Sequence, residues 1–142
     1  MTPEVIDRLE KSFQLIAPRA QQFVDLFYHR LFTNAPQVKP MFPEDMSSQK
    51  KKLLASLVLV VNNLRSPEKL RQPLLDMGAR HAEYGTQPEH YPVVRDTLLE
   101  TMAELAGDAW SDQLTADWSG AIDFVAGVMI EGQQNAGVAA SH

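Results

Sequence analysis

Apolar residues recur along this chain at every third or fourth position, the spacing that places side chains on one face of an α-helix. Alternation at every second position, which would indicate β-strands, is nearly absent. Small polar residues before prolines mark several helix starts, and glycines mark helix ends. The pattern predicts helices over residues 3–17, 18–34, 48–64, 66–82, 89–106 and 111–133, with a short turn of helix over 36–41.

Individual residues predict how some of these helices begin, bend and end. Ser47 or Ser48 is expected to cap the third helix, because a hydroxyl oxygen accepts a hydrogen bond from a free N–H of the first turn. Pro73 predicts a kink or a split in the fourth helix, since proline lacks an N–H and clashes with the preceding turn. Gly107 is expected to close the fifth helix.

Composition and charge narrow the class of protein. The chain contains no cysteine, which excludes disulfides, zinc–thiolate sites, iron–sulfur clusters and a catalytic thiol. Its net charge of -5 argues against a nucleic-acid partner, because such proteins usually present a basic face. Its 142 residues are typical of one domain, which we expect over residues 1–133, followed by a flexible tail over 134–142.

No segment predicts export or insertion into a membrane. The longest nearly apolar run, residues 53–61, is far shorter than the roughly 20 residues that a membrane-spanning helix needs. Glu4, Asp7 and Arg8 interrupt the N-terminus, where a signal peptide would carry an apolar core. We therefore expect a cytoplasmic protein.

The helix predicted over residues 66–82 carries a histidine on its apolar face. That face is formed by residues at spacings of four, three, four and three: Leu70, Leu74, Met77, His81 and Tyr84. Spacing alone favours a core histidine that bonds to a carbonyl or a carboxylate. The alternative is a metal ligand, and a lone imidazole is sufficient only where a macrocycle such as haem supplies the other four ligands.

Other candidate residues are each ambiguous on spacing alone. Gln49 begins an otherwise apolar helix face that continues through Leu53, and it is typical of an exposed first-turn residue. Lys52 is either solvated or reaches a carboxylate of a cofactor while its stem covers apolar surface. Tyr28 is typical of core packing if its hydroxyl has a hydrogen-bond partner. Phe42 lies between two prolines, and its spacing does not distinguish core packing from a functional role.

Three runs of sequence remove much of this ambiguity. The first run extends from Phe27 to Lys39 and continues with Phe42. The second extends from Met77 to His81 and continues with Tyr84-Gly85 and with Pro88 to Tyr91. The third extends from Ala116 to Trp118 and continues with Val125-Ala126. Together they resemble single-domain bacterial globins of the flavohaemoglobin-like branch, over about residues 4–133. The resemblance implies an all-α globin fold, with six to eight helices around one pocket for non-covalently bound haem b.

The resemblance also implies roles for individual residues. His81 corresponds to the proximal iron ligand, Phe42 to the aromatic packed on the haem face, and Leu53 to the distal apolar wall. Tyr28 and Gln49 correspond to the distal pair that donates hydrogen bonds to bound oxygen. Lys52 is placed to reach a haem propionate, and Tyr91 matches a tyrosine packed near the proximal side.

The chain departs from flavohaemoglobins at one position that concerns His81. There a glutamate of the last helix joins the proximal histidine and a tyrosine in a hydrogen-bonded set, whereas Gln133 stands here, with Glu131 nearby. A neutral partner leaves the imidazole less anionic and weakens electron donation to iron, so strong peroxidase-like activity is not expected. The loop over 43–48 is also short, which affects distal access.

Two functions follow from the resemblance. The first is reversible binding of O2, with NO and CO as further ligands, by a carrier, store or scavenger. The second is nitric oxide dioxygenation, which consumes an electron in each turnover. The chain has no GxGxxG fingerprint and, at 142 residues, leaves no room for a reductase domain, so we expect a separate reductase as electron donor. Because no histidine stands at Gln49, bis-histidine iron is not expected.

Overall fold

A computed structural model describes the backbone of residues 1–140 and the side chains of residues 1–136, and within that part every regular element is helical. The α-helices are α1 (Pro3–Ile16), α2 (Ala20–Asn34), α3 (Ser47–Asn62), α4 (Arg71–Glu83), α5 (His90–Ala106) and α6 (Asp112–Ala140). Short 3-10 turns precede or follow several of them. The prediction of an all-α fold is confirmed, and no helix among the described residues is long and apolar enough to cross a membrane.

Most helix boundaries fall within a few residues of their predictions. Gly107 closes α5 with a positive φ of 57°, which only glycine adopts readily. The last helix is the main difference, because α6 ends at Ala140 rather than at 133. The predicted flexible tail over 134–142 stays a prediction: its first seven residues are helical here, and residues 141 and 142 lie outside the described residues.

Two predicted helix starts differ in detail. Neither serine caps α3, because the helix begins at Ser47 itself, and the backbone N–H of Ser47 donates to the Asp45 carboxylate at 3.0 Å. Pro73 neither kinks nor splits α4, because it lies in the first turn, where the missing N–H would have no intrahelical partner. The break in this segment instead falls at Leu70, after a 3-10 turn over Pro67–Lys69.

The core lies where α1, α2, α5 and α6 meet. Its largest fully buried side chains are Trp118, Phe23 and Phe27. The indole N–H of Trp118 donates to the Ser12 hydroxyl at 2.9 Å, and that hydroxyl donates to the Leu9 carbonyl, so the buried polar atoms are paired. On another side of this core, α4 packs chiefly against α6 and leaves a cavity towards α2 and α3.

Candidate functional site

A cavity of about 340 Å³ separates α2 and α3 from α4, α5 and the turn that joins them. Its volume lies within the range of about 300–1,000 Å³ that is usual for small-molecule and cofactor sites. Six of the seven residues predicted from the sequence line it: Tyr28, Phe42, Gln49, Lys52, Leu53 and His81. Residues that stand far apart in the sequence and were ambiguous one by one therefore share a single site.

His81 lies near the end of α4 and is held in one tautomer. Its Nδ1 is 2.6 Å from the Met77 carbonyl oxygen, which can only accept, so Nδ1 carries the proton and donates. Burial lowers the pKa of the imidazole, and the neighbouring Arg80 adds to this effect, whereas the bond to Met77 opposes it. The ring is therefore neutral at pH 7, and Nε2 keeps the lone pair that a metal ligand needs.

Tyr28 and Gln49 stand together in the cavity. Tyr28 is buried, and burial raises the pKa of its hydroxyl, so the group remains a protonated donor at neutral pH. The Gln49 side chain lowers the pKa of that hydroxyl and so offsets part of the shift that burial causes. Gln49 is half-buried, so the structure does not give it the exposed position that spacing alone favoured. The pair offers two hydrogen-bond donors in a largely apolar space.

Phe42 and Leu53 supply apolar wall beside this pair. The Phe42 ring packs edge-on against Tyr28, with ring centroids 5.8 Å apart, and against Phe32 at 5.3 Å. Leu53 is half-buried one turn after Gln49 on α3. Lys52 is exposed although it lines the cavity, so its ammonium group lies where the cavity opens to solvent.

Tyr91 is the one predicted site residue that does not line the cavity. It follows His90, which does, and successive side chains on a helix point about 100° apart. The Tyr91 hydroxyl donates instead to the Gln133 side-chain oxygen of α6, at 3.0 Å. Burial raises the pKa of this hydroxyl as well. Its position favours an indirect role behind the cavity wall over direct contact with a cofactor.

Glu131 and Gln133, the two candidate partners of His81 in the last helix, make different contacts in the structure. Glu131 forms an exposed ion pair with Arg71, the first residue of α4. Gln133 accepts from Tyr91 and donates its amide to the carbonyl of Thr86, which lines the cavity. The Nδ1 proton of His81 is already donated to a backbone carbonyl, so neither residue completes a charged set with the imidazole.

Sequence reasoning missed the residues that the α4–α5 turn adds to the cavity. They are Tyr84, Thr86 and His90, together with Val93 and Val94 of α5. His90 is half-buried, and its Nδ1 accepts from the Gln87 backbone N–H at 3.0 Å. The available signal was proximity in sequence, because residues shortly after a ligand-bearing helix tend to border the same cavity.

These residues fit a haem. A haem presents a large apolar disc, an axial site for one imidazole and two carboxylates at an edge. The cavity offers mostly apolar walls, one neutral imidazole with a free Nε2, two donors away from it on α2 and α3, and a cation where it opens. Among the described residues, no three histidine, aspartate or glutamate side chains cluster as a protein-only metal site would require.

The fold is all-helical, and its apolar cavity is of a size for a cofactor and contains one imidazole that can bind a metal. These features indicate a helical protein that binds a cofactor. A family model for globins matches residues 25–129, which is most of the chain and includes the cavity. The chain belongs to the globin family. Membership of this family implies haem as the cofactor, in agreement with the fit of the residues.

Two bacterial proteins illustrate the relatives at the sequence level. A flavohaemoprotein of Rhizobium meliloti is 27% identical over 132 residues, which cover 91% of this chain and 33% of that protein. A globin-like protein of Aquifex aeolicus is 24% identical over 130 residues, which cover 92% of each chain. The chain thus spans about a third of the length of the flavohaemoproteins that it matches.

Solved structures show the same fold. An engineered carbene transferase from Rhodothermus marinus, which carries a provisional assignment as a nitric oxide dioxygenase, superposes with a TM-score of 0.90 at 21% identity. The match covers 100% of this chain and 99% of that one. A bacterial globin from Campylobacter jejuni gives 0.83 at 23% identity and covers 94% and 97% of the two chains. At these identities the likeness is one of fold.

Proposed function

We propose that this chain is a haem b protein that binds O2 and other diatomic gases reversibly. The observation that carries the proposal is that the cavity holding neutral His81 also holds a buried tyrosine hydroxyl beside the Gln49 amide. Haem, when bound, would supply a ferrous iron able to take a gas ligand. The proposal assigns His81 Nε2 as the protein ligand that would hold this iron.

The residues of α2 and α3 determine how firmly such a ligand is held. The Tyr28 hydroxyl is a fixed donor, because its raised pKa keeps it protonated and its ring is packed against Phe27 and Phe42. The Gln49 amide adds a second donor from α3. Donors that are already oriented in a water-poor site stabilise a ligand on which negative charge accumulates, and O2 is more polarised in this way than CO.

The first prediction concerns the Tyr28 hydroxyl. Tyr28→Phe should release O2 about 10- to 100-fold faster, because one hydrogen bond to a partly charged acceptor contributes roughly 1.5–3 kcal/mol. CO release should change little. Stopped-flow measurement of both dissociation rates on the haem-loaded protein tests the prediction. Tyr84→Phe is the matched control, since it removes a hydroxyl from a half-exposed tyrosine of the same cavity. An unchanged O2 rate in Tyr28→Phe would contradict the proposal.

A second candidate function is nitric oxide dioxygenation. The relatives named flavohaemoproteins favour it, because that name couples a flavin, a source of electrons, to the haem. In this reaction one NO, one O2 and one electron give one nitrate ion, so each turnover needs a reductase. Tyr28 and Gln49 would serve it in the same way, by retaining O2 until NO arrives.

One experiment separates the two candidates. NO is added in small portions to the O2-saturated, haem-loaded protein in the presence of a flavin reductase and NADH, and both NO consumption and nitrate are followed. A dioxygenase consumes many equivalents of NO per haem, at a rate that depends on the reductase concentration. A carrier consumes one equivalent and then stops, whatever the amount of reductase.

A further inference from the structure

Two glycines bring the backbones of α4 and α6 into direct contact. A Cβ atom built on Gly78 would lie closer than 3.0 Å to three backbone atoms of Met129, including its carbonyl oxygen. A Cβ built on Gly132 would likewise lie closer than 3.0 Å to three backbone atoms of Leu75. The clashes are reciprocal and involve main-chain atoms, so rotation of a side chain cannot relieve them. At this crossing neither helix tolerates a side chain.

This crossing is the main support of the helix that carries His81. α4 packs chiefly against α6, and its other side borders the cavity. Gly78 precedes His81 by three residues, which is less than one helical turn, so a displacement of the backbone at Gly78 carries the imidazole with it. Directly after Gly132, Gln133 bonds to Thr86 beyond the end of α4 and so fastens the same helix from the turn that follows.

We infer that Gly78 and Gly132 are positioning residues that set how far the His81 imidazole stands from the opposite wall of the cavity. This inference rests on the proposed function, because it concerns the iron–histidine bond. Glycine in the middle of a helix is destabilising relative to alanine. Each of these two glycines faces the backbone of the opposite helix, Gly78 at Met129 and Gly132 at Leu75, which indicates that the close approach is required.

The size of the expected displacement supports the inference. Moving a Cβ on either glycine from its clash with the facing carbonyl oxygen to an ordinary contact of at least 3.4 Å displaces α4 and α6 relative to each other by more than about 1 Å. Coordination bonds tolerate deviations of only about 0.2 Å. A single added methyl group at this crossing therefore exceeds what the iron–nitrogen bond can absorb without stretching or tilting.

The test compares glycines of matched location. Gly78→Ala and Gly132→Ala are prepared beside Gly120→Ala and Gly127→Ala, since a Cβ at either of these α6 positions meets nothing within 4 Å. The iron–histidine stretching band of the ferrous, haem-loaded protein is measured by resonance Raman spectroscopy. We expect the band to move to lower frequency or split in the first pair and to stay unchanged in the second. Transfer of haem to a scavenging apoglobin should be at least ten times faster in the first pair.

A second comparison shows that the effect passes through His81. In His81→Gly, free imidazole can occupy the vacated axial site without a tether to α4. Adding Gly78→Ala to this background should leave the iron–imidazole band unchanged. A band that shifts in the imidazole complex as well would overturn the inference, because the methyl group would then be distorting the cavity and not the position of the histidine.

A further variant keeps the inference testable if the alanine proteins fail to fold. Gln133→Leu removes the tether to Thr86 without adding volume at the crossing, and we expect it to broaden the iron–histidine band. Unchanged bands in every folded variant, accompanied only by lower melting temperatures, would reduce the glycines to a structural role. If the unmodified protein shows no iron–histidine band at all, it is the proposed function that fails.

Discussion

Two histidines border the cavity, and each makes one hydrogen bond with the backbone through Nδ1. The two hydrogen bonds run in opposite directions, so the two imidazoles differ in which nitrogen carries the proton. His81 donates from Nδ1 to a carbonyl and so keeps a lone pair on Nε2. His90 accepts at Nδ1 from a backbone N–H, so a neutral His90 carries its proton on Nε2. The first is suited to bind a metal, and the second to donate a hydrogen bond to an anionic group such as a haem carboxylate.

We therefore predict that His90 and Lys52 slow the loss of haem. His90→Phe and Lys52→Met should each transfer haem to a scavenging apoglobin about 2- to 5-fold faster, because a partly exposed charged contact contributes up to about 1 kcal/mol. His29→Phe and Lys51→Met are the matched controls, since both residues are exposed and neither lines the cavity. Equal rates in variants and controls would remove these two residues from the haem site.

Residues of the site differed in how well the sequence revealed them. Only the resemblance of the surrounding sequence to a family indicated a functional role for Tyr28, Gln49 and His81. Helical spacing alone predicted an ordinary structural role for each of them. His90 was missed, since its place depends on how the α4–α5 turn folds back on the cavity. Tyr91 was assigned to the cofactor, but its direction depends on the register of α5, which periodicity determines only approximately.

At the scale of helices, local chemistry was sufficient to predict most starts and ends. Glycine acts through its own backbone geometry, which is why the end of α5 at Gly107 could be anticipated. The effect of proline was placed wrongly, because the kink expected at Pro73 does not occur and the break lies at Leu70. Contacts between helices could not be anticipated from the sequence. Met129 approaches Gly78 from about fifty residues away, and nothing in either segment alone indicates that they touch. The extension of α6 to Ala140 was likewise hidden, because its last residues lack an apolar stripe.

One partly buried ion pair joins the first helix to the last. Asp117 of α6 is almost fully buried, and it accepts from Arg8 of α1 at 2.5 and 3.1 Å and from Gln113 at 3.0 Å. The Arg8 hydrogen bonds, with help from Gln113, hold the pKa of this carboxyl below its ordinary value. Asp117 directly precedes the buried Trp118, and neither Arg8 nor Asp117 lines the cavity.

Because the folded-state pKa of Asp117 is depressed, its ionised form stabilises the fold above about pH 4, the ordinary pKa of an aspartate. This contribution is lost as the pH falls through the depressed value. Asp117→Asn should therefore lower the melting temperature at pH 7 by several degrees, and the difference from the unmodified protein should shrink in acid. Thermal melts from pH 7 down to pH 3 measure both effects. Asp108→Asn removes an exposed carboxylate of equal charge, and a loss as large as that of Asp117→Asn would contradict the prediction.

At the scale of the whole molecule, the helices divide into a packed part and an open part. α1, α2, α5 and α6 surround the tryptophan-centred core. α3 and α4 border the cavity together with parts of α2 and α5, and they have fewer partner helices. A large apolar cofactor in that cavity would supply packing that the polypeptide does not provide for itself. Three further observations agree with a cofactor in this cavity: membership of the globin family, the neutral imidazole of His81 and the protonated hydroxyl of Tyr28.

The visible absorption spectrum of the ferrous, haem-loaded protein, recorded beside that of His81→Gly, tests the assignment of this cavity most directly. We predict a five-coordinate, high-spin spectrum for the unmodified protein, because His81 supplies the one axial ligand and Gln49 cannot supply a second imidazole. The spectrum should change in His81→Gly and return when imidazole is added. Identical spectra for the two proteins, or a six-coordinate, low-spin spectrum of the unmodified protein without added ligand, would contradict the assignment.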